Sequence, residues 1–111
     1  MSLFNKSART NSAQQDTSLR PITFRFGADI SLEKTCDALK KMDSESFKVV
    51  KDYHEIYMVM NKTEFTLTFI EDFGKTHLTI LAYNEKHPLR IKKYLKKLTG
   101  HIREELSSII E

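Results

Sequence analysis

The chain has 111 residues, with 18 lysines and arginines against 15 aspartates and glutamates, 40% hydrophobic residues and a single cysteine. That length supports one domain around one modest core, and a lone cysteine excludes an intrachain disulfide or a cysteine-built zinc cluster. No apolar run approaches the roughly 18 to 20 residues of a membrane-spanning helix, and the N-terminus lacks the apolar core of a secretory signal, so a reducing cytosol with at most peripheral membrane contact is expected.

Residues 1–18, MSLFNKSARTNSAQQDTS, are rich in Ser, Asn, Gln and Thr without periodicity, and read as a flexible linker or tail preceding a single domain over 19–111. RPITFRFG alternates Ile22, Phe24 and Phe26 against Thr23 and Arg25, the period of a half-buried strand closed by Gly27. Ser31 is placed to cap a helix with Glu33 in its first turn and Leu32, Cys36, Leu39 and Met42 on one face. FKVVKDY and EIYMVM then read as two strands or one bent one, NKT as a turn, EFTLTFIE as a strand burying Phe65, Leu67 and Phe69, DFGK as a turn, and THLTILAY as a strand supplying Leu78, Ile80 and Ala82.

From Pro88 a helix is expected to run to the C-terminus. Tyr94, Leu98, Ile91, Ile109, Ile102, Leu95 and Leu106 fill an arc of roughly 120°, with Lys and Arg over most of the remainder. Gly100 costs about 1 kcal/mol in a helix interior and is placed either to kink the helix or to end its first segment. The order strand, helix, four strands, helix defines an α+β domain: a four- to five-stranded antiparallel sheet with two helices packed on one face.

Catalytic apparatus is not visible, so no catalytic residue, cofactor or metal is assigned. Asp72-Phe73-Gly74 has the letters of a kinase magnesium motif, but the glycine-rich loop, strand lysine and catalytic loop that give it meaning are missing, and a hairpin turn explains it. His54, His77, His87 and His101 have no metal-ligand spacing. Cys36, on the core face of the first helix, reads as a small buried hydrophobe.

The informative feature is charge segregation. Residues 86–97 carry six cations and no acid, while the rest of the chain carries twelve cations and fifteen acids. Within IKKYLKKL the four lysines are left on the outer face, and Lys92/Lys96 and Lys93/Lys97 repel at i and i+4 with no acid to relieve them. Lys86, Arg90, Lys92, Lys93, Lys96 and Lys97 are therefore the candidate residues for an anionic partner. Lysine dominance without an outward aromatic suits diffuse attraction to acidic lipid better than base reading. A nucleic-acid- or protein-docking module is the alternative, and a small-ligand carrier built between sheet and last helix is a third class.

The element order, opening on LRPITFRFG and ending in a basic helix, resembles the kinase-associated domain at the extreme C-terminus of microtubule-affinity-regulating kinases and yeast septin-associated kinases. The resemblance covers about residues 19–111, with PITFRF similar to that family's opening strand. It implies a TATA-binding-protein-like fold and a non-catalytic module that docks on membranes rich in acidic phospholipids such as phosphatidylserine. It further implies that the module targets an attached protein kinase to the plasma membrane, or the bud neck for a septin-associated kinase, and contributes to autoinhibition. The basic cluster sits more heavily in the last helix than in related domains, since Lys34, Lys40 and Lys41 are offset by Glu33, Asp37 and Asp43.

Overall fold

The computed structural model describes residues 6–111. Six strands form one antiparallel sheet: β1 (Ser7–Arg9), β2 (Ile22–Phe24), β3 (Ser46–Val50), β4 (Glu55–Met60), β5 (Thr63–Asp72) and β6 (Lys75–Tyr83). Two α-helices accompany them, α1 (Ala28–Leu39) and α2 (Ile91–Glu105). The α+β class, the antiparallel sheet and the order from β2 to α2 match the sequence expectation, with one strand more than expected.

The long meander β3-β4-β5-β6 is set by tight turns. Asn61 and Lys62 at one turn, and Phe73 and Gly74 at the other, all have positive φ, the geometry whose twist matches antiparallel strands. Strand alternation then sorts the faces. Phe65, Leu67, Phe69, Leu78, Ile80 and Ala82 are buried beneath the helices, whereas Thr66, Thr68, His77, Thr79 and Leu81 lie on the uncovered face. From α1 come Leu32, Cys36 and Leu39, and from α2 Ile91, Leu95, Leu98 and Ile102, closing one core.

The edge beyond β6 is split. β1 pairs with the Leu81–Tyr83 half of β6 and β2 with the Thr76–Leu78 half. This corrects the flexible-linker reading of residues 1–18 for its described part: Ser7–Arg9 is a strand, Thr10 is buried, and residues 1–5 lie outside the described residues. Thr10 continues the ladder by donating its N–H to the Ile80 carbonyl and accepting the Ile80 N–H on Oγ1 at 2.9 Å. Asn11 then donates to the Leu19 carbonyl, and the Asp16 carboxylate accepts from the Ser18 N–H and hydroxyl, folding the polar stretch into a chain of side-chain-capped turns.

Both helix boundaries also differ from expectation. α1 starts at Ala28 rather than at Ser31, because Glu71 Oε1, reaching over from β5, accepts the Ala28 N–H at 2.7 Å and performs the capping that Ser31 was expected to perform. A Cβ at Gly27 would lie 2.6 Å from that same carboxylate oxygen, so a side chain there would push the Glu71 carboxylate away from its capping position. Ser31 is instead buried in the first turn, its hydroxyl donating to the Phe26 carbonyl. α2 continues through Gly100 and ends at Glu105, not at the C-terminus. The last residues turn back beside β2: Arg25 donates to the Ile109 carbonyl, Glu111 donates to the Thr23 carbonyl, and Ile110 bridges Phe24.

Candidate anion-docking surface

Lys86, Arg90, Lys92, Lys93, Lys96 and Lys97 are all exposed and fall on one continuous segment, the loop after β6, the 3-10 turn Pro88–Arg90 and the first two turns of α2. The segment hangs from Asn84. This buried amide donates from Nδ2 to Thr63 Oγ1 at 3.0 Å, and its Oδ1 accepts the backbone N–H groups of Lys86 and His87 at 3.1 and 2.8 Å. The loop is thereby fixed to the β4–β5 turn, and the direction in which α2 leaves the sheet is set with it.

The apolar stripe Ile91, Leu95, Leu98 and Ile102 seats α2 on the sheet, which turns the lysines outward at steps of about 100°. Lys92, Lys96 and Arg103 share one flank, and that flank faces the segment after β1. Arg103 donates to the Arg20 carbonyl at 3.0 Å and the Thr17 carbonyl at 3.4 Å, and burial pulls its guanidinium pKa down. Its Nε is buried without a partner among the described residues. On the other flank His101 Nε2 reaches the Ala38 carbonyl at 2.8 Å and Glu105 pairs with Lys41, tying α2 to the end of α1.

One member of the cluster is not free. Lys96 Nζ lies 2.6 Å from Asp16 Oδ2, and the ammonium, together with the Ser18 donors, holds the Asp16 carboxyl down to about 2 from an ordinary 3.8. The sequence reading found no acid to compensate these lysines because Asp16 lies 80 positions away on the segment read as a tail. Lys86, Arg90, Lys92, Lys93 and Lys97 form no ion pair among the described residues. They crowd the positive end of the α2 dipole, where no acid occupies the first turn and no side chain caps it, so both dipole and mutual repulsion disfavour them there.

The sequence reading also overlooked Leu89, which stands 77% exposed in the 3-10 turn between Lys86 and Lys92. It precedes the apolar stripe by two positions, outside the helical periodicity that marks Ile91, Leu95 and Leu98. Tyr94, the aromatic of IKKYLKKL, is half-buried against the core rather than presented to solvent.

The remaining chemistry-bearing residues form no constellation. No group of three His, Cys, Asp or Glu side chains positioned for a metal occurs among the described residues. Cys36 is buried and desolvation pushes its thiol up, away from the nucleophilic thiolate. His54 pairs with Asp29 near the start of α1, and His77 meets Thr23 across the β2–β6 pair. Asp72-Phe73-Gly74 is the β5–β6 turn, with Phe73 99% exposed. No helix is long and apolar enough to cross a membrane among the described residues. Compared with protein-family models, curated proteins and solved structures, the chain has no significant match.

Proposed function

We propose that this chain is a non-catalytic module that docks on acidic phospholipid surfaces through Lys86, Arg90, Lys92, Lys93 and Lys97. The observation that carries the reading is the exposed leucine at the centre of the unpaired cations: Leu89 projects between Lys86 and Lys92 with most of its surface in water. Cations near an anionic leaflet gain about 1 kcal/mol each, and an adjacent apolar side chain gains further by entering the headgroup boundary. A nucleic-acid site would profit from an outward aromatic, and Tyr94 faces the core instead. On the resemblance to kinase-associated domains, the cargo is a protein kinase on the same polypeptide, held at the plasma membrane or bud neck and restrained there.

Cosedimentation with vesicles of phosphatidylcholine, with and without phosphatidylserine, is the direct test. Binding is expected to rise with phosphatidylserine and to fall with salt, and Leu89→Ala is expected to weaken it several-fold while leaving the salt dependence unchanged. Equal binding to neutral and anionic vesicles, or tight oligonucleotide binding at physiological salt with little lipid binding, overturns the reading.

Asp16 then acts as an internal competitor for Lys96. Asp16→Asn keeps the oxygen that caps the 3-10 turn Thr17–Leu19 but removes the charge, and is expected to raise affinity for anionic vesicles about fivefold by releasing one cation. Because the folded-state pKa of about 2 lies below the ordinary 3.8, the stabilisation from the pair is present above pH 4 and lost as pH falls through about 2. At neutral pH the Asp16 carboxylate is therefore ionised and open to pairing with Lys96. Unchanged or weaker vesicle binding by the Asn variant would show that Lys96 lies outside the contact.

A further inference from the structure

β3 is the outer strand of the sheet, paired with β4 on one side and with no strand on the other among the described residues. Its alternate N–H and C=O groups are thus open to another strand. Beside this edge, on the helix side of the sheet, a groove of about 480 Å³ runs between β3 and α1. Val49 from β3 with Leu32 and Cys36 from α1 make its floor. Asp29, Glu33 and Asp37 line its α1 wall at i, i+4 and i+8, on one ridge of the helix. Two cations complete the lining, Lys51 just after the end of β3 and Lys40 just after the end of α1.

The spacing of these carboxylates names the partner. Residues four apart on a helix are about 6 Å apart along its axis, and alternate residues of an extended strand are about 6.6 to 6.8 Å apart. A strand added to β3 would point every second side chain into the groove, placing three successive inward side chains beside Asp29, Glu33 and Asp37 in turn. Lysine or arginine suits those positions, with its aliphatic stem on the Leu32, Cys36 and Val49 floor and its charge at the carboxylates. The carboxylate ridge also repels itself at i and i+4, which a row of cations would relieve. Of the three acids only Asp29 has a side-chain partner among the described residues, His54 at 2.8 Å.

We infer that the β3 edge and the α1 groove bind an extended basic peptide by strand addition, reading Lys or Arg at alternate positions. Main-chain pairing with β3 supplies sequence-independent affinity, and the carboxylate ridge supplies the selection. The site shares no residue with the α2 cation cluster, so it stands or falls separately from the membrane reading.

The test uses the full chain and two fluorescein-labelled nine-residue peptides of Lys and Thr, one with lysine at every second position and one with the same composition in two blocks. Fluorescence anisotropy is expected to show the alternating peptide bound at least tenfold more tightly, and amide exchange at residues 46–50 is expected to slow on binding. Glu33→Lys with Asp37→Lys, both at exposed positions, is expected to lower that affinity at least tenfold while the thermal midpoint holds. Equal binding of the two peptides overturns the inference, as does protection that appears elsewhere than on β3. Protection of β3 that instead grows with protein concentration alone would assign the edge to a second copy of this chain, and also overturns it.

Discussion

Replacing Lys92, Lys93 and Lys97 together by glutamine is expected to lower affinity for phosphatidylserine-containing vesicles by roughly 100-fold, since each cation at an anionic leaflet is worth about 1 kcal/mol and every 1.4 kcal/mol is tenfold. The same variant is expected to fold at least as well as the parent. All three side chains are exposed and unpaired among the described residues, and their removal relieves repulsion at i and i+4 and at the positive end of the α2 dipole. Lys96→Gln alone is expected to cost less than any one of the three, because Asp16 already holds that ammonium. Cosedimentation at two salt concentrations, with a urea melt of each variant, separates docking from folding. A triple variant that still binds within a few-fold of the parent removes α2 from the contact, and a Lys96 variant as damaging as the triple removes the distinction between paired and unpaired lysines.

What was legible in the sequence was whatever depended on neighbours in the chain. The strands β3 to β6 alternate, their turns fall at Asn61 and Gly74, and the buried stripe of α2 repeats at helical spacing, so element type and core residues could be read directly. The six basic residues were likewise found by their run in sequence, and all six are exposed. The features that were missed are long-range. The cap of α1 comes from Glu71, 43 residues away, and overrides the local signal at Ser31. The acid that compensates Lys96 comes from Asp16, and the end of α2 is set by the bridge between Ile110 and Phe24, for which a periodic stripe extended through Leu106 and Ile109 gave no warning. The polar stretch before Leu19 had an available signal: Asn11 and Asp16 each have a small residue two positions on whose N–H they accept, and such pairs make turns as well as linkers.

Phe24→Ala is expected to remove about 3 to 5 kcal/mol, a large part of the 5 to 15 kcal/mol that holds a domain of this size together. Phe24 is wholly buried, with its ring centroid 6.2 Å from that of Phe69 and tilted 37° to it. Its strand is only three residues long, paired with β6 on one side and with the returning C-terminus on the other. Truncation therefore opens a cavity beneath both helices at the one place where β2, β6 and Ile110 meet, and so short a strand has few other contacts with which to collapse into it. Phe73 offers the opposite case with the same side chain. It is 99% exposed at φ 51, a conformation that costs a residue with a side chain about 1 to 2 kcal/mol, and Asn followed by Gly74 is the pair best suited to this turn. Phe73→Asn is expected to raise stability, by up to about 1 kcal/mol, with no change in the denaturant slope. Urea unfolding of the two variants decides between burial and residue type as the source of the effect: a loss under about 1 kcal/mol at Phe24, or any loss at Phe73, contradicts the packing described for β2 and the β5–β6 turn.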